Sequence, residues 1–396
     1  MRLGFLPLIA GLALGQDFSQ RGFLDTTGTF YPQAAPGDSG QVVGEALFRY
    51  EAFYKVTPRL RFAGGIDARA DTHRQVEREA GLAWWDRNRQ RPALEVRRLS
   101  MVYSAGKLTV EAGKQFVRWG RTDILTPTDR FAPRDYLSVV ENDFLALTAA
   151  RVTYGSQANS MEVVFSPRLT PSRVPLLHQR WAGPAAALAI NEARPDFPGG
   201  PQVGARWNHI GSTAEYALSF YNGYDHQPLY RAALPVVQRF YPQLRMYGGD
   251  VAIPLSLVTF KAEAAYFTST SQQSDEYVLY VAQLERQAGE WFLVGGYTGQ
   301  AVTLGRSTPG FSAERGFTRA FTAHAGYTID TNRSLALEAA VRQNARGAWM
   351  KAAYSEAFGQ HWRATVGYVW IYGSDADFLG QYHRNSSGIL EGRYSF

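Results

Sequence analysis

The sequence predicts an all-β protein: a transmembrane, antiparallel, up-and-down β-barrel of about eighteen strands, with short periplasmic turns and long extracellular loops. Three observations carry the prediction. Segment after segment alternates apolar and polar residues with period two. The links between segments are short and long in turn. After residue 16 there is no run of about eighteen apolar residues, which excludes membrane-spanning helices.

Composition agrees. The 396 residues include 9 Trp, 22 Tyr, 23 Phe and 38 Gly, yet mean hydropathy is −0.26, so apolar residues are dispersed and not blocked. The net charge of +6 falls on interleaved signs; nucleic-acid binding would call for clustered Lys and Arg. The chain has no Cys, which removes disulfides, thiolate metal sites and Cys-linked lipids.

The first residues, MRLGFLPLIAGLALGQDF, give a short positive start at Arg2, an apolar stretch Leu3–Leu14 and a small-x-small pattern Ala13-Leu14-Gly15. Residues 1–15 are expected to be a signal peptide, too short to span a bilayer, and residues 16–396 a single barrel domain.

The alternation is plain in three places. In 44–55, Ala46, Phe48, Tyr50, Ala52 and Tyr54 share one face, while Glu45, Arg49, Glu51 and Lys55 lie on the other. In 258–267, Phe260, Ala262, Ala264 and Tyr266 oppose Lys261 and Glu263. In 362–372, Trp362, Val366, Tyr368, Trp370 and Tyr372 fall together. A soluble sandwich would turn the apolar face inward and a membrane barrel turns it to lipid. The barrel is favoured because aromatics sit near strand ends, as an interfacial girdle requires, and because the opposite face carries Asp67, Arg69, Glu111, Arg342, Lys351 and Arg363. A wet lumen solvates such groups, whereas an Arg or Lys facing mid-bilayer lipid costs roughly 2–4 kcal/mol.

Strands are expected near 20–31, 41–55, 59–72, 94–104, 107–118, 144–154, 159–166, 201–210, 212–224, 240–253, 256–270, 275–285, 289–303, 316–328, 332–342, 346–357, 361–373 and 382–396. Long links fall at 73–93, 119–143, 167–200, 225–239 and 304–315. Both ends of the barrel lie on the short-turn side, so the strand number is even. The last strand places Leu390, Tyr394 and Phe396 on one face, and Tyr394 and Phe396 resemble the terminal aromatic signal read by barrel-assembly machinery.

A ring of eighteen strands has a backbone diameter of roughly 35 Å, too wide to select small solutes unless loops fold inward. The stretch 113–136, GKQFVRWGRTDILTPTDRFAPRDY, begins as a strand and breaks into charges and prolines. Irregular backbone at membrane depth is tolerated only where it lines water or protein. The loop 119–143 is therefore expected to dip into the lumen. With the flanking Arg118 it brings Arg121, Asp123, Asp129, Arg130, Arg134 and Asp135, to be met by wall charges drawn from Arg49, Glu51, Arg69, Lys261, Glu263, Arg342, Lys351 and Arg363. The competing reading is a solvated surface loop.

The same stretch, with its Gly-Lys-Gln, Trp-Gly and Pro-x-Asp features, resembles outer-membrane barrels related to the alginate-export group of porins. The resemblance implies an eighteen-stranded channel with a charged lumen. Arginines there would favour carboxylated solutes or acidic polysaccharides, although Asp and Glu are interleaved among them.

Other motifs carry less. GDSG at 37–40 matches part of a serine-protease motif but reads as a Gly/Asp turn. The seven His are scattered without ligand spacing, so no metal or cofactor is expected. Calcium at Asp375 and Asp377 has no support beyond the two carboxylates. Residues 74–91 and part of 167–200 are candidates for short helical lids. The expected function is passive diffusion of small hydrophilic solutes, anionic ones among them, across the outer membrane of a Gram-negative-type bacterium, in contact with outer-membrane lipid and lipopolysaccharide. The sequence leaves a homo-oligomer open. The alternatives are a plugged barrel serving as a binding or scaffold component, and an outer-membrane hydrolase, for which no catalytic constellation is visible.

Overall fold

The computed structural model describes residues 17–396 except 124 and 307; the expected signal peptide lies outside the described residues. Eighteen strands form one closed ring. In chain order they are β1 Phe18–Phe30, β2 Val42–Thr57, β3 Leu60–Asp71, β4 Leu94–Ala105, β5 Leu108–Gln115, β6 Leu147–Gly155, β7 Asn159–Ser166, β8 Gln202–Ile210 and β9 Glu215–Tyr224. They continue as β10 Gln243–Pro254, β11 Thr259–Thr268, β12 Glu276–Ala288, β13 Trp291–Leu304, β14 Ala320–Thr328, β15 Arg333–Arg342, β16 Gly347–Phe358, β17 Trp362–Gly373 and β18 Ser387–Ser395. Each pairs antiparallel with the next. β18 pairs back with β1, Tyr394 opposite Leu24. Closure leaves no open edge, which is the only way a sheet satisfies its backbone in hydrocarbon. The seam is finished by Phe396, whose N–H and C=O both bond Gly22 (3.0 and 2.9 Å). Its ring lies where a Gly22 Cβ would stand, 2.5 Å from that position, so glycine is required there.

All eighteen expected segments become barrel strands. Differences lie at the loop ends. β18 begins at Ser387, because Gly380–Asn385 is a 3-10 turn. β14 begins at Ala320, behind one helical turn at Ala313–Gly316. β5 stops at Gln115, where the chain turns into the lumen. The segment 74–91 is not the helical lid expected of it. Gln75, Asp86 and Arg91 are drawn into separate polar contacts of the rim, which a regular helix could not serve together. The 167–200 loop does contain a helical element, a 3-10 stretch at Arg180–Ala187.

The connections of the long-loop end are named L1 (31–41), L2 (72–93), L3 (116–146), L4 (167–201), L5 (225–242), L6 (269–275), L7 (305–319), L8 (343–346) and L9 (374–386).

The outer face is apolar and bare. On β17, Trp362, Val366, Tyr368, Trp370 and Tyr372 are all exposed, Val366 at 56%. Phe48, Tyr54, Leu218, Phe321 and Leu390 are similarly exposed on other strands. An apolar surface of this extent is stable only against another apolar medium. No helix among the described residues is long and apolar enough to cross a membrane; the strands are the elements that present a lipid-like face.

The inner face departs from a simple wet lumen. Val164, Tyr221, Leu244, Met246, Phe267, Tyr277 and Leu279, from β7, β9, β10, β11 and β12, are buried with Val117, Trp119 and Phe131 of L3. A second cluster joins Val139 of L3, Trp181 of L4, Val369 and Ile371 of β17, and Tyr382 of L9. The barrel therefore has two dry cores inside its ring, both built by loops folded inward at the long-loop end.

Candidate functional site

L3 leaves β5 and runs down the inside of the wall formed by β7 to β12. Two wall glycines let it approach. A Cβ at Gly204 of β8 would stand 2.6 Å from Phe131 and 2.7 Å from Trp119, and one at Gly248 of β10 would stand 2.8 Å from the Thr128 methyl. Phe131 packs edge-on against both Trp119 and Tyr221, with centroids 5.2 and 5.1 Å away. Burying two large aromatics here contributes on the order of 2–3 kcal/mol each.

Polar contacts then fix the register of the loop. Arg121 donates Nε to Asp250 at 2.6 Å and also pairs with Glu215. Glu215 opens β9, so L3 reaches toward the short-turn end of the lumen. Glu263 of β11 accepts from the Thr128 amide (2.7 Å) and hydroxyl (2.8 Å), from the Thr122 hydroxyl (3.0 Å) and amide (3.3 Å), and from the Arg121 amide (3.0 Å). Asp123 exchanges hydrogen bonds with the Gln283 side chain (2.5 and 3.1 Å) and lies 3.6 Å from Lys261. Asp129 is turned inward to its own loop, accepting from the Trp119 and Gly120 amides. Arg130 crosses to Glu314 of L7 at 2.6 Å.

The upper part of L3 is a small hairpin, Arg134–Ser138 with Glu141–Phe144, where the sequence had been read as wholly irregular. The Asp135↔Asp143 register leaves Asp135 free to take Arg91 (2.9 Å) and Arg173 (3.0 Å). Burial opposes ionisation of Asp135, but these two guanidiniums outweigh it and hold the carboxyl well below the usual range. Arg173 also reaches Asp86 (2.8 Å) and Glu95 (3.4 Å), and Asp86 takes Lys114 (2.7 Å). One buried network thus ties L2, L3 and L4 to β4 and β5.

Most expected wall charges contribute, in different places. Arg49 clasps Asp67 through two bonds of 2.8 Å, Arg69 joins at 2.9 Å, and Arg49 lies 3.5 Å from Asp143 of L3. Lys351 pairs with Glu141 at 2.6 Å. Arg342 instead holds Asp377 of L9 (3.1 Å) and backbone carbonyls of L7. Glu51 serves Arg21, 2.7 Å away on β1. Arg363 is exposed near the short-turn end of β17 and is not brought to L3. Tyr394 and Phe396 stand on the outer face of the seam, Phe396 stacked near Phe48 at 6.1 Å.

Between L3 and the wall of β13 to β16 remains a cavity of about 750 Å³. Arg69, Arg97, Arg134 and Phe144 line one side; Glu314, His324, Glu338 and Lys351 line the other. Arg118 and Arg134 place their guanidiniums 3.9 and 4.2 Å from the Phe144 ring centre. Arg134 is hydrogen-bonded to Asn142 (2.9 Å) and Thr126 (3.1 Å), and among the described residues no carboxylate lies within ion-pair distance of it. Arg118, which is not among the cavity-lining residues, has one ion-pair partner among the described residues, Asp129 at 3.6 Å. These two are the cations of L3 least committed to the protein.

Against this geometry, the chain resembles solved outer-membrane barrels. It is similar to OccAB4 of Acinetobacter baumannii (TM-score 0.54, 9% identity, covering 96% of this chain and 99% of that one). It is also similar to a BenF-like porin from Pseudomonas fluorescens Pf-5 (TM-score 0.56, 9% identity, 96% and 98% covered). A third is OccK5 of Pseudomonas aeruginosa (TM-score 0.55, 7% identity, 96% and 98% covered). At such identities the likeness establishes the fold. No family model matches the chain, and no curated protein sequence matches it.

Several site residues escaped the sequence reading: Asp250, Glu314 and Gln283, and the glycines 204 and 248. A signal existed for the last two, since glycine on an inward strand position marks close backbone approach. Asp38 of the GDSG stretch accepts from the Gly40 and Arg180 amides (3.0 Å each) and lies 2.8 Å from His73 Nε2, so it clasps L1 to L2 and L4. Asp377 caps Leu379 (2.9 Å) and pairs with Arg342, while Asp375 lies 3.4 Å from His383; the two carboxylates serve different partners, and no metal-holding group occurs among the described residues.

In L5, burial raises the Asp225 carboxyl to about 6, opposed by the Gln227 amide and Arg130. A raised folded value means the folded state binds this proton more tightly, so its contribution to stability is lost as pH rises through 6. Asp225→Asn is therefore expected to raise the Tm at pH 8, with the gain vanishing below the ordinary aspartate value of 3.8. Melting both proteins in detergent across that range checks the sign.

Proposed function

We propose that this protein is a diffusion channel of a Gram-negative-type outer membrane, passing small hydrophilic solutes, anionic ones among them, through a lumen narrowed by L3. The observation that carries the reading is the charged cavity of about 750 Å³ left beside an inward-folded L3 in a ring whose outside is apolar. A ring of roughly 35 Å would pass solutes indiscriminately; the side chains of L3, held against the wall at Glu263, Asp250 and Gln283, supply the fixed charges that a selective passage needs. Arg134, which lines the cavity without a carboxylate partner among the described residues, favours anions there. A similar chain described as a BenF-like porin belongs to the proposed class.

The alginate-export-like reading is part of this proposal. Its support is that 113–136, the stretch carrying the resemblance, is the stretch folded inside. So is the reading of Tyr394 and Phe396 as an assembly signal, both rings being outward on the closing strand. Lipopolysaccharide contact and self-association belong to the same setting. The protein is read as a channel and not an enzyme.

The test is conductance of the purified, refolded full-length protein in planar bilayers. Discrete, reproducible steps are expected, with a reversal potential in asymmetric KCl that favours anions. Silence from demonstrably folded protein would instead support the plugged binding or scaffold barrel.

A further inference from the structure

L2 and L4 meet at the outer rim above β5 to β8, away from the lumen. Arg168 follows Ser166, the last residue of β7, by two positions. Its carbonyl is held by the Ser166 hydroxyl (3.0 Å) and the Gln202 amide (3.3 Å), while its guanidinium lies 5.2 Å from the Trp85 ring centre. Arg87 donates Nε to the Leu169 carbonyl at 3.0 Å and lies 4.9 Å from the Phe197 ring. One hydrogen bond therefore ties Arg87 to the residue beside Arg168.

Two like charges are gathered here without a counter-charge. Among the described residues, neither arginine has a carboxylate within ion-pair distance; Arg168 is exposed, while Arg87 is half-buried, with an Nη2 that is closed to solvent and has no acceptor. The nearby carboxylates are already used: Asp86 by Lys114 and Arg173, Glu192 by Arg239 and Arg89. Burial and the Arg168 charge both push Arg87 below the ordinary arginine range. Such a pair is stabilised by an anion that accepts from the exposed Arg168 and offsets the Arg87 charge beside it, and a phosphate monoester has the acceptor oxygens for this.

The position decides which anion. Phe165 and Val203, on the ends of β7 and β8 beside Arg168, are exposed members of the apolar outer face, and Trp85 of L2, against which Arg168 lies, is exposed as well. The pair thus stands at the border between the greasy belt and the long loops, with an aromatic at the level where Trp is enriched in membranes. None of Arg87, Arg168, Trp85 or Phe197 lines the lumen cavity, which favours an occupant from the membrane side over a permeating solute.

We propose that Arg87 and Arg168, with Trp85 beside them, form a binding site for the phosphate of a phosphorylated glycolipid in the outer leaflet. The proposal rests on the barrel lying in that membrane with its long loops outward, and not on its conducting ions. The shared chemistry is a phosphate monoester; the apolar border assigns it to lipid and not to free phosphate.

The experiment compares full-length wild type with the double variant Arg87→Gln/Arg168→Gln, refolded in detergent. Three probes are used: diphosphorylated lipid A, the same lipid dephosphorylated, and inorganic phosphate. Wild type is expected to bind the diphosphorylated lipid by native mass spectrometry and to melt at a higher temperature in its presence. The double variant is expected to bind it about tenfold or more weakly, each lost charge-assisted contact contributing, while Arg168→Lys retains part of the affinity. Equal affinity in wild type and double variant would overturn the site. Equal binding of the dephosphorylated lipid would overturn phosphate recognition, and inorganic phosphate protecting as well as the lipid would overturn the lipid assignment. Unchanged conductance and heat-modifiable migration of the double variant show that it has folded, which keeps this test separate from that of the channel.

Discussion

Replacing Glu263 by alanine is expected to raise single-channel conductance and its noise while leaving the barrel folded. This carboxylate is buried mid-wall and accepts five hydrogen bonds, all from Arg121, Thr122 and Thr128 of L3. Removing it strands those donors against the wall. Bonds to a charged group are each worth about 1.5–3 kcal/mol. Because the five share one carboxylate they are not additive, and a loss of about 3–5 kcal/mol in L3 docking is expected. The strand ladders do not involve this side chain, so heat-modifiable migration should persist. L3 would remain tethered through Arg121 to Asp250 and through Phe131, but no longer pinned along the middle of the wall. In a ring of roughly 35 Å, releasing the loop is expected to raise conductance roughly twofold, with new flicker as it moves. Glu263→Gln keeps one acceptor and should fall between. Quiet, unchanged conductance in the alanine variant would show that L3 does not control the ion path.

The double substitution Arg118→Ala/Arg134→Ala should shift selectivity toward cations with little effect on stability. The two guanidiniums flank Phe144 at 3.9 and 4.2 Å, and Arg134 faces the cavity with no carboxylate partner. A unit charge about 7 Å from a permeating ion in water acts with about 0.6 kcal/mol. Each free charge acts in opposite senses on anion and cation, so removing Arg134 alone should change the anion-to-cation permeability ratio by about 1.2 kcal/mol, roughly sevenfold at low salt; Arg118, paired with Asp129, adds less, and both effects shrink at 1 M, where screening shortens to about 3 Å. Reversal potentials at two salt concentrations read both effects. The contrast with Arg121 is informative: its charge is spent on Asp250 and Glu215, so Arg121→Ala should disturb loop position more than selectivity. A double variant with wild-type selectivity would place the selective charges elsewhere on the wall.

The outer face of this protein was legible residue by residue. Trp362, Val366, Tyr368, Trp370 and Tyr372 alternate in the chain and stand exposed together on β17. The intervening positions were less so. Val369 and Ile371 of the same strand were expected to face water, yet they are buried under Trp181 and Tyr382. On β12, Leu279 and Val281 face a dry interior while Tyr280 faces out. The cue was present: where both parities of a strand are apolar, both faces are covered. What covers the inner one cannot be read locally, because part of the cover, Trp181 over β17 and Trp119 and Phe131 over β12, comes from loops more than a hundred residues away.

The candidate site divides in the same way. That 119–143 would enter the lumen followed from its charges and prolines. That Asp129 would cap its own loop, that Arg342 would hold L9, and that Arg134 would be left without a carboxylate did not follow, since residue type states a charge but not its partner. The short hairpin at 134–144 was missed because its stability comes from Asp135 gripping Arg91 and Arg173, contacts supplied by L2 and L4.

The sequence alone determined the strands, their number, which face is apolar and which link turns inward, because period two, turn residues and loop length are local quantities that the backbone must obey. The tertiary structure alone decided which charges are spent on one another and which remain free to meet a solute or a lipid. That depends on distances between residues far apart in the chain, and an ion pair is worth its energy only at a few ångströms.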